Sequence, residues 1–181
     1  MKKIMFDDKF GLTKAVLKGR KTMTRRIVPD GTPLGNWEET EKMSRFKVGE
    51  VVAVAQSYHS LNKSGYVAPE WLDHYCEDSA GYENKMFVRA DLMPHQIRIT
   101  NIRVERLKDI SEEDCYREGI YKKTLCPPGD IDYFYHSEPR SKWEVYPSAR
   151  EAFAGLIDKV SGKGTWESNP WVFVYEFELV R

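Results

Sequence analysis

The chain has 181 residues, 41% hydrophobic and 13% aromatic, enough for the core of one domain that carries insertions. Its 28 Lys+Arg balance 28 Asp+Glu, which excludes a molecule-wide attraction to nucleic acid and confines any such binding to a local patch. No run approaches the roughly 18 apolar residues of a membrane span. The apolar start is cut by Asp7-Asp8 before it can read as a leader, and the three cysteines (Cys76, Cys115, Cys126) are odd in number and widely spaced, as expected of reduced thiols in a cytoplasmic protein.

In chain order, Lys3 to Phe6 reads as a short strand. Phe10, Leu12, Ala15 and Val16 have helical spacing that Gly19 stops. Thr22 to Val28 is rich in β-formers and ends at Pro29, as a strand would. Residues 30–45 are rich in Gly, Pro and Glu and read as a loop. Val51 to Ala55 is apolar in both phases, the mark of a central strand. Residues 57–85 lack a period and are expected to be an insertion, with Met86 to Val88 a short strand after it. Ile97 and Ile99 alternate in one phase and Ile102 and Val104 in the other, so the strand from Ile97 to Leu107 is expected to bulge near Thr100-Asn101.

Ser111-Glu112-Glu113-Asp114 resembles a capping box and opens a short helix that Gly119 ends. Residues 121–147, rich in Pro and Tyr, form a second expected insertion. Ser148-Ala149-Arg150-Glu151 is a better capping box, with Ala149, Ala152, Phe153, Leu156, Ile157 and Val160 on one helical face. Trp171 to Val180 alternates as a final strand whose second face turns acidic at Glu176 and Glu178. Strands interrupted by short helices, without a repeated βαβ unit, predict an α+β fold around a small mixed barrel in one domain over 1–181.

The chemistry concentrates between Lys9 and Pro29, which hold Lys9, Lys14, Lys18, Arg20, Lys21, Arg25 and Arg26 and no acid. A solvated helix face explains the first three. Arg20 to Arg26 lie at a helix-to-strand junction, where alternation turns Thr22, Thr24 and Arg26 to one side and Met23, Arg25 and Ile27 to the other. A side with two hydroxyls and a guanidinium is either open surface or a polar cleft.

Gly19-Arg20-Lys21-Thr22-Met23-Thr24-Arg25-Arg26 after an early helix, then Phe46-Lys47-Val48-Gly49-Glu50, then Leu107 to Gly119, then Asn169-Pro170-Trp171 into the last strand, resemble the ASCH domain family in block order. The blocks cover roughly half the chain and are most similar to the larger phage- and bacteroidete-type members. The resemblance implies a PUA-like mixed β-barrel with short flanking helices, a fold used to bind RNA or modified nucleosides. A more distant branch hydrolyses the acetyl amide of N4-acetylcytidine, and the residues that match its site are Lys21, Thr24 and Glu118. Many relatives carry Arg-Glu after the central strand where this chain has Ala55-Gln56, a departure that leans away from catalysis.

The leading expectation is therefore an RNA or modified-nucleoside binding module, with Arg20, Thr22, Arg25 and Arg26 on the ligand in a cleft between the Lys21–Arg26 strand and the Ser111–Glu118 helix. The rival is an amidohydrolase, in which Lys21 takes the Thr24 proton and Glu118 orients the amine or carries a proton. Lysine does so only if its pKa falls from about 10.4 to about 7, roughly 4 kcal/mol of differential interaction. A third reading is a phage or mobile-element interaction protein that meets a partner through 121–147. No cofactor is implied, and no metal: His74 and Cys76 lack a second pair at zinc-site spacing. Trp71 and Trp143 are candidate base-stacking residues if they are not core anchors.

Overall fold

The computed structural model describes residues 1–66, 77–124, 131–135 and 144–180. It is a mixed α and β structure with a five-stranded sheet, a two-stranded hairpin and short helices. The chain divides into two compact units.

The first unit comprises Met1–Phe6, Val51–Ile97 and the residues from Val180 on. Strand β1 (Lys3–Ile4) runs parallel to β3 (Val51–Val54), with Lys3 opposite Ala53 and Ile4 opposite Val54. As its double apolar phase predicts, β3 is an inner strand, and Val52, Ala53 and Val54 are fully buried. Ala53 and Ala55 pack with Tyr58, Leu61, Val88 and Met93 into this unit's core. Each of the larger apolar side chains contributes about 1.5–3 kcal/mol by leaving water.

One expectation fails in this unit, and the aperiodic stretch after Ser57 proves to hold a helix that its lack of a period hid. This is α3 (Tyr58–Lys63), started by the Ser57 hydroxyl accepting from the Ser60 N–H. Met86 to Val88 is no strand: the Asn84 side chain accepts from the Met86 N–H and winds Lys85–Phe87 into one 3₁₀ turn. The Lys3 ammonium then donates to the carbonyls of Met86 (2.6 Å) and Val88 (2.7 Å).

Strand β4 (Gln96–Arg106) begins in the first unit and continues in the second, which comprises Asp7–Glu50 and Arg98–Leu179. Its buried isoleucines change phase where expected: Ile97 and Ile99 are buried, Thr100 and Asn101 are both exposed, and Ile102 is buried again. In the second unit β7 (Trp171–Leu179) pairs antiparallel with β2 (Met23–Ile27), with Met23 opposite Glu176 and Ile27 opposite Val172. The sheet order β1-β3-β4-β7-β2 leaves β1 and β2 as ends. The sheet is therefore not closed into the expected barrel, because the two-residue β1 pairs with β3 and not with β2.

Helix α1 (Leu12–Leu17) buries Leu12, Ala15 and Val16. The segment expected to be loop contains α2 (Trp37–Lys42): the Asn36 side chain caps the Glu38 N–H, and Glu38 and Glu39 complement the positive helix start. Helix α4 (Glu112–Arg117) starts at the Ser111 hydroxyl, which accepts from the Asp114 N–H. Strands β5 (Tyr121–Thr124) and β6 (Ile131–Phe134) form a hairpin within the expected second insertion. Helix α5 (Ala149–Ser161) carries the Ser148–Glu151 capping box, with Ala152, Phe153, Leu156 and Ile157 buried, and α6 (Thr165–Ser168) follows. No described helix is long and apolar enough to cross a membrane. Trp71, His74, Cys76, Cys126 and Trp143 lie outside the described residues.

Candidate functional site

Two glycines shape the junction between α1, β2 and α4. Gly19 takes φ +68°, which only a residue without Cβ adopts freely, and the N–H groups of Arg20 and Lys21 both turn back to the Ala15 carbonyl. This reversal carries Lys21 inward, where its side chain is 2% exposed. Gly119 ends α4 at φ +108°, and a Cβ there would meet Leu12 at 3.4 Å and the Lys21 stem at 3.8 Å. The Thr22 N–H donates to the Arg117 carbonyl (3.0 Å), tying the start of β2 to the end of α4.

Inside this junction the Lys21 ammonium donates to the Glu118 carboxylate at 2.5 Å and to the Glu118 carbonyl at 2.8 Å. The other Glu118 oxygen accepts from Arg25 at 3.0 Å. Arg25 is fully enclosed and donates from all three of its nitrogens: Nε and Nη2 to Glu105 (3.1 and 2.6 Å), Nη2 also to Asp114 (3.0 Å), and Nη1 to Glu118 and to the Met23 sulfur (3.2 Å). Arg103 extends the network to Glu105, Asp114 and Glu176, and Arg117 joins Glu176 (2.7 Å) to the Thr22 hydroxyl (3.3 Å). Four cations face four carboxylates, so the junction is neutral although its β2 edge alone reads as strongly basic.

Burial pushes the Lys21 pKa down, and the opposing pull of Glu118 does not restore it to the ordinary lysine value. A lysine held this way accepts a proton at a lower pH than a free one. Arg25 is shifted up: burial works against its charge, and Glu118, Glu105 and Asp114 outweigh it. Burial also raises the Cys115 thiol to about 12, which leaves it a packing residue, not a nucleophile.

The structure thus joins Lys21 and Glu118 directly and adds Arg25 to them. Thr24 is on the other side of β2 from Arg25, 5% exposed, and makes no side-chain hydrogen bond among the described residues. Arg20 lies 4.2 Å over the Tyr121 ring, and Arg26 is exposed. Glu105, Asp114, Arg103, Arg117 and Glu176 were not singled out from sequence. The available signal was the charged alternation Arg103–Glu105 on β4 and the acidic turn of β7 at Glu176, which together face Met23 and Arg25.

No family model and no curated protein matches this chain. A solved structure of an ASCH domain from Lactobacillus crispatus JV V101 is similar at 12% identity over 97% of this chain and 76% of that one, with a TM-score of 0.39. It carries the family name that the four sequence blocks resemble, and the match gives no residue a role.

Proposed function

We propose that the chain is an RNA or modified-nucleoside binding module of the ASCH type, one domain over its length, with its ligand on the Thr22–Thr24–Arg26 side of β2, which the Thr22–Arg117 contact borders with α4. The observation that carries this reading is the Thr24 hydroxyl: nearly buried, unbonded among the described residues, and held on a strand that ion pairs lock to α4. A polar group left unspent in an ordered site is one that a ligand can satisfy at little cost in reorganisation. Arg20 and Arg26 are the phosphate contacts of this reading, since Arg25 is consumed internally. The test is binding of N4-acetylcytidine and of short single-stranded RNA across a salt series. Thr24→Val is expected to weaken both about tenfold, the worth of one good hydrogen bond, and Arg26→Ala to lower the RNA salt slope by about one. Unchanged affinity in Thr24→Val sinks this placement.

One observation favours the amidohydrolase as a second reading: Lys21 is pushed towards its neutral form while it touches Glu118. In that reading neutral Lys21 takes the Thr24 proton and the oxygen attacks the acyl carbon. The amide C–N bond breaks as Lys21 protonates the leaving amine, and water then frees acetate from the Thr24 ester. Lys21 and Thr24 share no hydrogen bond in this structure, where the Lys21 ammonium donates to Glu118. Acetate release from N4-acetylcytidine that vanishes in both Lys21→Met and Thr24→Val supports it; no release at high protein concentration removes it.

A further inference from the structure

A second site lies at the far end of β2, away from the Lys21–Glu118 pair. Two cavities of about 510 and 290 Å³ adjoin there and share Leu34 and Trp171. The larger is lined by Trp37, Trp171 and Ile102 among others and falls in the size range of small-molecule sites. Trp37 is 44% exposed and Trp171 is 37% exposed, so neither indole is spent in the core.

Two arginines border the cavities, and they differ in what they have left to give. Arg103 lines the larger one, but each of its three nitrogens already donates to a carboxylate, of Glu105, Glu176 or Asp114. Arg106 lines the smaller one, lies 4.4 Å over the Trp171 ring, and makes one side-chain hydrogen bond, to the Asn169 carbonyl (3.1 Å). It has no ion-pair partner among the described residues, unlike Arg103 on the larger cavity. Asp30, also on the smaller cavity, forms no ion pair with it.

Two exposed indoles on one cavity and a ring-stacked guanidinium without an ion-pair partner on the adjoining one suit a planar aromatic ring that carries an anion. We propose that these cavities bind a nucleotide unit, with the base against Trp37 and Trp171 and the phosphate on Arg106. The site is independent of the β2–α4 reading, and neither Thr24 nor Lys21 lines it.

The experiment is calorimetric titration of the full chain with AMP, adenosine and a short oligoadenylate. Arg106→Ala is expected to weaken AMP about tenfold, as loss of one charge-assisted hydrogen bond does, and to leave adenosine unchanged. Trp171→Ala should weaken AMP and adenosine alike, by at least about fivefold for a lost stacking partner. Trp171→Phe keeps a ring in place and should restore most of the binding, so it separates a stacking loss from a folding loss. An oligoadenylate bound much more tightly than AMP identifies the source as single-stranded RNA; equal affinity identifies a free nucleotide. The proposal is overturned if neither AMP nor the oligonucleotide saturates at millimolar concentration, or if Arg106→Ala binds AMP as the natural chain does. Thr24→Val, which tests the other site, is expected to leave AMP affinity unchanged here.

Discussion

Arg25 on β2 and Arg98 on β4 are the same residue type on strands of one sheet, and their circumstances are opposite. Arg25 is fully enclosed and serves three carboxylates, from Glu105, Asp114 and Glu118. Among the described residues Arg98 meets only Glu178, at 3.0 Å, and both of those side chains are about half exposed. A buried charge left without its partners costs several kcal/mol, whereas an exposed pair is solvated in either state. The positive charge written into residues 9–29 is therefore not all available to a ligand: part of it is structural cement, and its acids arrive from β4 and α4.

The largest way to break this comparison is to remove the guanidinium from the buried side. Arg25→Met is expected to destabilise the chain by about 3–5 kcal/mol, because Glu105, Asp114 and Glu118 lose a shared cation. Urea unfolding measures it, and a loss below about 1 kcal/mol would mean that the network is far more hydrated than its enclosure implies.

A smaller effect comes from Lys21. Its folded pKa is lowered, so between that value and the ordinary one of about 10.4 the unfolded chain holds a proton that the folded chain has released. The lysine's contribution to stability is thus complete above about 10.4 and is lost as pH falls through the lowered folded value. Stability differences between the natural chain and Lys21→Met, followed from pH 7 to 10, should show the natural chain gaining as pH rises. Cys115, which titrates in both proteins, cancels in that difference. A flat difference would show that Glu118 holds Lys21 at the ordinary lysine value.

The smallest effect completes the contrast. Arg98→Ala is expected to change stability by no more than about 1 kcal/mol, and added salt should shrink that change further. If Arg98→Ala approaches the loss seen for Arg25→Met, enclosure is not what distinguishes the two sites.

The parts of the fold that were legible in the chain are those whose causes lie within a few residues. Ser111 and Ser148 cap the helices they precede, Gly19 and Gly119 end theirs at positive φ, and the phase change at Thr100-Asn101 appears in the burial of β4. Helices α2 and α3 were hidden because each is six residues long and announces itself chiefly through a single cap, Asn36 or Ser57. The same distinction runs through the candidate site. Lys21 and Glu118 could be named together only through a resemblance, since 97 residues separate them.

What the sequence by itself determined was local: the caps, the extended runs of β2 and β7, the apolar β3, and the presence of polar groups on β2. What only the tertiary structure decided was which of those groups remain free. Arg25 finds its carboxylates 80, 89 and 93 residues away, and those partners turn an apparent phosphate ligand into the centre of a closed ion network. Coulomb attraction and desolvation act through space and not along the chain, so a run of charges in sequence carries no record of which of them the fold will neutralise.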